Sequence, residues 1–231
     1  MENGKYKYEI HCHTKETSRC GKTTAAELVS LYKSKGYDGV VITDHYSGLT
    51  FYKENGFFKR KYKIEKFLKG YSAAREEAGD GFTVLLGMER RAFAHPVDYL
   101  VYGMTEDFVE KSGNLLFMRP GAFCKRVKRA GMLVVGAHPY RMFPFMPLLK
   151  SIDGIEIFNG KESEENNKKA VEWAKKHKEK FITSGSDFHR PSHQNFGGIL
   201  TDKKIETNKD LLEILKSGDY TLVTPERTGT Q

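Results

Sequence analysis

The sequence of 231 residues contains no long hydrophobic run and only three cysteines. No apolar stretch approaches the roughly 20 residues that a membrane-spanning helix needs, so we expect no membrane partner. The first ten residues, MENGKYKYEI, lack the apolar core of a secretory signal. Cys12, Cys20 and Cys124 are odd in number and include no C-x-x-C pair, which favours reduced thiols over a disulfide framework. These absences together predict a cytoplasmic protein.

Acidic residues are fewer than basic residues. The chain has 30 Asp and Glu and 38 Lys and Arg, so its formal charge is +8. Excess positive charge attracts phosphate groups, whether on nucleic acid, on a membrane surface or on a small substrate. The excess is concentrated in residues 53–69, where Phe57, Phe58, Tyr62 and Phe67 stand among the basic residues. Such a stretch can bind nucleic acid. We favour the interpretation of a solvated helix face whose aromatic side chains turn to the core.

Apolar, strand-like segments alternate with helical patterns along the chain. Seven segments are bounded by Gly or Asp and several are rich in Val and Ile, which is typical of buried and mostly parallel strands. They read YKYEIHC, DGVVITD, FTVLLGME, DYLVYG, GMLVVGAH, DGIEIF and KFITSGSD. A capping box at Thr24–Glu27 predicts a helix that ends near Gly36. Further helices are predicted over about 61–78, 120–130, 162–178 and 208–217, and YRMFPFMPLLK, with Pro144 and Pro147, as a loop leading into a short helix.

The length and the alternation together predict the fold class. A chain of this size fits one α/β domain spanning residues 1–231. Strands separated by helices imply right-handed crossovers, and this many units favour a closed or nearly closed barrel.

Residue types that bind metals stand at the C-terminal ends of five strand-like segments. They are His11 and His13, Asp44 and His45, Glu89, His138, and Asp187 and His189. The C-terminal strand ends of an α/β barrel meet at one mouth, and residues two apart in an extended segment point the same way. A single His at a strand end is usually structural, but five such coincidences favour a metal cluster. Mixed imidazoles and carboxylates suit Zn²⁺, Mn²⁺ or Fe²⁺ better than Ca²⁺ or Mg²⁺, and the ligand number favours two or more ions.

These motifs resemble those of the PHP (polymerase and histidinol phosphatase) family of metal-dependent phosphoesterases. They stand, in order, as HCH at 11–13, ITDH at 42–45, GME at 87–89, GAHP at 136–139 and SDFH at 186–189. The resemblance covers about residues 8–200 and implies a distorted (β/α)7 barrel with two or three metal ions at its C-terminal mouth. It also implies that the first ion is bound by His11, His13, Glu89 and Asp187.

The ligands of the other two ions depart in places from the common family pattern. The second ion would share Glu89 and take His138 and a residue of the DYLVYG strand. There Asp98 stands where many relatives have a histidine, and His95 is its competitor. The third ion would be held by His45 and His189, with Glu16 as the nearest capable residue after H-x-H and with Arg19 and Cys20 in the same vicinity.

Further residues are candidates for catalysis. Asp44 is a direct ligand, a general acid or an orienting carboxylate, the last being the commoner role. Arginines near the ligands can neutralise the charge of a phosphoryl group. The candidates are Arg90, Arg91, Arg141 and Arg190, of which Arg141 and Arg190 are favoured because they directly follow the AHPY and SDFH motifs.

The resemblance implies hydrolysis of a small phosphate ester by a metal-activated water. A phosphomonoester such as histidinol phosphate or a nucleotide or sugar phosphate is the favoured substrate. A nucleic-acid-binding or nuclease-type domain is the alternative, because the family also includes domains attached to DNA polymerases and the basic stretch can bind nucleic acid. An amidohydrolase-like metallohydrolase also begins with H-x-H, but such enzymes usually add a strand-terminal lysine, and none is recognised here.

Overall fold

The structure, a computed structural model, describes residues 6–53, 56, 58–92, 95–141, 151–177 and 181–225. Most of the segment predicted as a loop and a short helix, from 142 to 150, lies outside the described residues, as does Phe57. Strands and helices alternate along the rest of the chain, which confirms the mixed α/β class.

The described strands form two sheets. Their bounds are β1 Tyr6–Cys12, β2 Gly39–Ile42, β3 His45–Tyr46, β4 Thr83–Leu86, β5 Met88–Arg91, β6 Asp98–Tyr102, β7 Leu133–Gly136, β8 Gly154–Asn159, β9 Phe181–Gly185, β10 Gly198–Thr201 and β11 Thr221–Val223. The order is β11-β10-β1-β2-β4 in the five-stranded sheet and β3-β5-β6-β7-β8-β9 in the six-stranded sheet. A parallel bridge between Cys12 and Phe188 joins the end of β1 to the segment after β9.

The helices agree closely with the sequence prediction. Their bounds are α1 Ala25–Ser34, α2 Gly48–Phe51, α3 Arg60–Ala78, α4 Glu106–Lys111, α5 Pro120–Arg129, α6 Glu164–His177 and α7 Asn208–Ser217. The capping box of α1 is present, because the Thr24 side chain accepts from the Glu27 backbone N–H and the Glu27 carboxylate accepts from the Thr24 N–H. The short helices α2 and α4 were not predicted. Among the described residues, no helix combines the length and the apolar character needed to cross a bilayer.

The sheets are less parallel than the sequence predicts. Strand β6 runs antiparallel to both β5 and β7, and β10 runs antiparallel to both β1 and β11. The connection from Arg91 to Asp98 is too short for a helical crossover, which needs a dozen or more residues, so β6 turns back beside β5. Asp98, the first residue of β6, therefore pairs with Arg91, the last residue of β5.

Two buried hydrophobic clusters hold the strands in place. The larger cluster includes Val40 and Ile42 of β2, and the smaller cluster includes Val41 from the same strand. Adjacent residues of a strand face opposite sides, so β2 is covered on both faces, as its continuous apolar run predicts. The clusters fix the strand positions, and the polar residues that follow the strands are fixed with them.

The basic stretch forms the segment before α3 and the first half of that helix. Phe67 is buried and Tyr62 is half-buried, whereas Phe58 is 82% exposed. The Phe58 ring stacks against Phe117, with 6.4 Å between the ring centroids. The prediction that the aromatic side chains turn to the core is therefore correct for Phe67 and wrong for Phe58.

Candidate metal centre

Four predicted ligands of the first ion come together from β1, β5 and the segment after β9. The side chains of His11, His13, Glu89 and Asp187 are fully buried, and one ligand atom of each lies within 4.8 Å of the other three. His11 Nε2 is 3.6 Å from both Glu89 Oε2 and Asp187 Oδ1. His13 Nε2 lies 3.2 Å and 3.3 Å from the same two oxygens. None of these four buried atoms makes a hydrogen bond of acceptable geometry within the described residues, although His45 Nδ1 lies 2.8 Å from Glu89 Oε2 and His189 Nδ1 lies 3.2 Å from Asp187 Oδ1.

The chemistry and spacing of these atoms fit a divalent ion. Leaving a buried polar atom without a hydrogen bond costs about 1–3 kcal/mol, and His11 Nε2 and His13 Nε2 are two such atoms that point into one group of carboxylate oxygens. A tetrahedral ion with ligand distances of about 2.0–2.1 Å places its ligands roughly 3.3–3.4 Å apart. The observed spacing of His13 Nε2 from Glu89 Oε2 and Asp187 Oδ1 is 3.2 Å and 3.3 Å. The two His13 distances match this spacing and the two His11 distances, 3.6 Å each, are slightly longer, so the four residues fit a small divalent ion such as Zn²⁺.

Hydrogen bonds at the other ring nitrogens turn both Nε2 atoms toward this group. His11 Nδ1 lies 2.7 Å from Glu156 Oε1, and His13 Nδ1 lies 3.3 Å from Ser18 Oγ. Because Ser18 donates its own proton to Asp44 at 2.6 Å, its oxygen accepts from His13. Each ring thus carries a proton on Nδ1 and turns its Nε2 toward the group.

The charge state of these residues also suits a metal. Burial, followed by the neighbouring His189 and His45 imidazoles, lowers the pKa of His13 to about 3, so the ring is neutral at neutral pH. Burial would raise the pKa of Asp187, but the positive charges of His11 and Arg141 outweigh it and hold that pKa well below its usual range. Burial would lower the pKa of His11, but the Glu156 and Asp187 carboxylates outweigh it and hold that pKa well above its usual range, so a metal would replace a proton on His11 Nε2. Neutral imidazoles and ionised carboxylates are the forms that bind metals.

A second group shares Glu89 with the first. His138 Nε2 lies 2.8 Å from Glu89 Oε1 and 3.6 Å from Asp98 Oδ2. Asp98 is buried, and the guanidinium of Arg91 donates to both of its oxygens. The structure thus brings Asp98 to this group, and it does not bring its competitor His95, whose Nδ1 accepts from the Val97 N–H at 3.3 Å. One carboxylate that faces both groups can bridge two ions.

Two of the predicted ligands have an unusual backbone conformation. His138 has φ of 27° and Asp187 has φ of 47°, and these are the non-glycine residues with positive φ in the described chain. Residues other than glycine rarely adopt this region, and such strain is concentrated at functional sites. His138 and Asp187 each lie two residues after the end of a strand, β7 and β9 respectively. Their side chains contribute ligand atoms to the cluster.

A third group consists of the imidazoles of His13, His45 and His189, whose ligand atoms also lie within 4.8 Å of one another. His189 Nδ1 donates to the Asp187 backbone carbonyl at 2.8 Å, which leaves its Nε2 available. Glu16 does not join this group. Both of its carboxylate oxygens lie 3.1 Å from the Ala25 backbone nitrogen, at the positive N-terminal end of α1.

Asp44 is buried beside the cluster with its oxygens already occupied. They accept from the Thr14 N–H at 2.8 Å, the Thr14 hydroxyl at 2.6 Å and the Ser18 hydroxyl at 2.6 Å. Burial raises the pKa of Asp44 to about 6, although these donors work in the opposite direction. The candidate roles of Asp44 are those of a ligand, a general acid and an orienting carboxylate. These contacts support the orienting role, because Asp44 holds the Ser18 hydroxyl and Ser18 in turn contacts the His13 ring.

A cavity of about 410 Å³ opens beside the third group. It is lined by Arg19, Cys20, His45, Ser47, Leu49, Thr50, Arg91, Arg141, Lys161 and His189. Arg141 donates to the carboxylates of Glu162 and Asp187, and Lys161 Nζ lies 3.5 Å from Asp187 Oδ2. The cavity wall is therefore rich in positive charge next to the ligand cluster.

The other two arginines lie elsewhere. Arg190, which the sequence analysis favoured, is exposed and is not among the residues that line the cavity. Arg90 is fully buried, where it donates to the Leu115 carbonyl at 3.0 Å and covers the Phe123 ring. Arg90 thus has a structural role.

Sequence reasoning missed Glu156 and Lys161. Glu156 is buried within β8, where its carboxylate contacts His11 and His138, and Lys161 follows the same strand. The signal was present, because Glu156 is the one charged residue of the strand GIEIFN, and a charge in a buried strand needs a partner.

Sequence comparison with protein-family models and with curated proteins finds no match, whereas comparison with solved structures identifies similar folds. A two-domain protein from Bacteroides vulgatus, containing a predicted PHP-like metal-dependent phosphoesterase, matches with a TM-score of 0.67 and 17% identity over 94% of this chain and 64% of that one. This chain has the fold of a PHP-like protein. The resemblance inferred from the sequence motifs is thereby confirmed at the level of the fold.

Two further structures share this PHP-like fold. One is a lesion-specific endonuclease from Pyrococcus furiosus, with a TM-score of 0.60 and 16% identity over 94% of this chain and 57% of that one. The other is an amidohydrolase from Chromobacterium violaceum, with a TM-score of 0.53 and 15% identity over 95% of this chain and 98% of that one. The chain spans less than two thirds of the Bacteroides and Pyrococcus proteins. Since these proteins are named for different reactions, the reaction must be argued from the site.

Proposed function

We propose that the protein is a metal-dependent phosphoesterase that hydrolyses a small phosphomonoester, such as histidinol phosphate or a nucleotide or sugar phosphate. The observation that carries this proposal is the convergence of one buried ligand atom from each of His11, His13, Glu89 and Asp187 within 4.8 Å of one another. The cation-lined cavity beside them supports a phosphorylated substrate. The cytoplasm remains the predicted location.

We propose two ion positions and a third, each supported by one group of potential ligands. The first position has His11, His13, Glu89 and Asp187, the second has Glu89, Asp98 and His138, and the third has His45 and His189. Zn²⁺, Mn²⁺ and Fe²⁺ suit these mixed ligands. When bound, such ions supply a water that is acidic enough to attack near neutral pH and positive charge for the phosphoryl oxygens.

The chain's own cations orient the substrate. Arg141 is held by Glu162 at 2.5 Å, and Lys161 extends to the same side of Asp187. Both side chains line the cavity, where they bind the phosphoryl oxygens and stabilise the charge that these carry during displacement. A direct role of Arg190 stays a prediction of the sequence. We also propose the distorted (β/α)7 barrel, since the Cys12–Phe188 bridge brings the ends of β1 and β9 together.

The proposal is tested by hydrolysis after metal reconstitution. Protein loaded separately with Mn²⁺, Zn²⁺ and Fe²⁺ is assayed with phosphomonoesters, chromogenic phosphodiesters and amides, with His11→Ala as the blank. We expect turnover of monoesters that the blank loses together with metal. Preferential cleavage of amides, or full turnover by His11→Ala, would contradict the proposal.

A nuclease-type function is the second candidate, and the exposed Phe58–Phe117 stack favours it. Phe58 is 82% and Phe117 46% exposed, and they lie beside the basic start of α3. Exposed aromatic rings among basic residues are typical of surfaces that bind single-stranded nucleic acid. Salt-sensitive cleavage of an oligonucleotide that Phe58→Ala weakens, with no turnover of monoesters, would select this function.

A further inference from the structure

The cavity beside the third group has four cationic side chains in its wall, and three of them face carboxylates of the protein itself. The four are Arg19, Arg91, Arg141 and Lys161. The guanidinium of Arg91 donates to the Asp98 carboxylate. Both Arg141 and Lys161 form ion pairs with Asp187. The positive charge of these three side chains is therefore partly balanced before any substrate enters.

Arg19 is the fourth cation, and an aromatic ring holds it in place. Its guanidinium carbon lies over the Tyr52 ring, 4.6 Å from the ring centroid. In the part of the chain that the structure describes, the Arg19 side chain forms neither an ion pair nor a hydrogen bond. A guanidinium that lies over a ring keeps the N–H donors along its edge available for an anionic acceptor. The contact with Tyr52 therefore orients Arg19 without neutralising its charge.

The backbone around Arg19 is tied to the candidate metal centre. The Gly21 N–H donates to the Ser18 carbonyl at 2.9 Å, which closes a turn that contains Arg19. The Lys22 N–H then donates to the His189 carbonyl at 2.7 Å. Because His189 belongs to the third group, this hydrogen bond fixes the turn relative to the candidate ligands.

The cavity has space for more than a phosphoryl group. Its volume of about 410 Å³ is within the range of sites that bind small molecules, which is roughly 300–1,000 Å³. His45 and His189 of the third group line the same cavity as Arg19. A substrate whose phosphoryl group lies at the ions therefore has room for a second group that reaches Arg19.

We propose that Arg19 forms a second anionic subsite, which binds a carboxylate or phosphate group on the leaving part of the substrate. This inference rests on the proposed phosphoesterase function. It narrows the substrates to phosphomonoesters with a second anionic group, such as phosphorylated carboxylic acids and bisphosphates. Carboxylate and phosphate each match the two parallel N–H donors of a guanidinium. Arg19 thus determines which esters are bound, while Arg141 and Lys161 serve the transferred phosphoryl group.

The test compares three series of esters on metal-loaded protein. The first series is alkyl phosphates with chains of two to four carbons, and the other two add a terminal carboxylate or a terminal phosphate to the same chains. We expect kcat/KM to be roughly 5- to 30-fold higher for at least one doubly anionic series than for the alkyl phosphates. This is less than a fully buried charge-assisted contact would give, because Arg19 is exposed. The two anionic series show whether Arg19 takes a carboxylate or a phosphate.

Variants identify Arg19 as the cause of the preference. Arg19→Met should abolish most of the preference, and Arg19→Lys, which keeps the charge but loses the fork of donors, should retain part of it. Arg75→Met is the matched control and should keep the preference. Arg75 is also exposed and also lies over a tyrosine ring, 5.6 Å from the Tyr71 centroid, but it lines a different cavity. No preference in the wild type, or a preference that persists in Arg19→Met, would overturn the proposal.

Binding of phosphonates separates this inference from the proposed function. Phosphonates have no ester bond to hydrolyse, so the affinities of alkylphosphonates with and without a terminal carboxylate or phosphonate are measured by calorimetry. A gain in affinity that depends on Arg19, in a protein that hydrolyses no phosphate ester, would support the subsite and contradict the proposed function. Hydrolysis that does not depend on Arg19 in any series would leave the phosphoesterase standing and overturn the subsite. Failure of every ester to react and of every phosphonate to bind would overturn both.

Discussion

The Glu156 carboxylate links two of the candidate metal positions, since one oxygen lies 2.7 Å from His11 Nδ1 and the other accepts the His138 backbone N–H at 2.9 Å. It is buried, and the Asn159 amide donates to it at 2.8 Å. A single side chain of β8 therefore contacts one candidate ligand of the first proposed ion and one candidate ligand of the second. Such orienting partners typically contribute 10- to 100-fold to metal affinity or activity.

Replacing Glu156 with Gln should weaken metal binding by roughly 10- to 100-fold. An amide has one acceptor oxygen, so its NH₂ group would face either the His11 ring N–H or the donors of His138 and Asn159. Metal affinity is measured by competition with a chelator. The matched control is Glu165→Gln on the exposed face of α6, which should bind metal as the wild type does. Equal affinity in both variants would exclude the orienting role.

Replacing Gly70 with Ala should destabilise the protein, although alanine favours helices. A Cβ there would lie 2.0 Å from Thr14 Oγ1 and 2.4 Å from Asp44 Oδ2, so α3 or the loop that orients His13 must move. We expect a loss of about 1–3 kcal/mol in the free energy of unfolding, measured by denaturant titration. Gly121→Ala is the control, because its Cβ would meet only Ser151 Oγ at 3.9 Å. Equal free energies of unfolding for the two variants would show that Thr14 and Asp44 can move away from the added methyl group without cost.

Replacing Lys161 with Met should lower kcat/KM for the best phosphomonoester by about 10- to 100-fold, which corresponds to one charge-assisted contact of about 1.5–3 kcal/mol. The metal content should not change, since Lys161 lies 3.5 Å from the Asp187 oxygen that faces away from the ligand cluster. Lys203→Met removes a surface charge paired with Asp219 and serves as the control. Unchanged kcat/KM with Lys161→Met would remove this residue from the phosphate site.

Replacing Tyr8 with Phe should change stability in a pH-dependent manner. The Tyr8 hydroxyl accepts from the Ile205 N–H at 2.8 Å, so its removal should cost about 1–3 kcal/mol at neutral pH. Burial raises the pKa of Tyr8 from 10.0 to about 12. The unfolded chain therefore ionises first, and the stability contributed by Tyr8 is present below pH 10 and is lost as pH rises toward 12.

The difference in unfolding free energy between wild type and Tyr8→Phe should consequently shrink by roughly 1.4 kcal/mol between about pH 9 and about pH 11. Urea titrations at both pH values measure it. Other tyrosines ionise in both proteins, so they cancel in the difference. A constant difference would mean that the pKa of Tyr8 is not raised.

Local patterns in the sequence predicted the elements well. Helix α1 is capped by Thr24 through hydrogen bonds with Glu27, three residues further along the chain. The continuous apolar run of β2 reflects the burial of that strand on both faces. The spacing of His11 and His13 places both side chains on one side of β1. The sequence determined these features because they depend on residues that are near in the chain.

Tertiary structure decided the antiparallel direction of β6. Because of this direction, Asp98 reaches the ligand cluster from the first position of its strand, whereas Asp187 follows the end of its strand. The contact of Glu156 with His11 joins residues 145 positions apart, and no local pattern encodes it. Glu16 is the first carboxylate after the H-x-H motif in the sequence, yet its oxygens accept from the Ala25 backbone N–H at the start of α1 and do not join the third group. Residue types at strand ends thus determined that metal-binding side chains gather at one place, whereas strand direction and competition for hydrogen bonds decided which side chains join them.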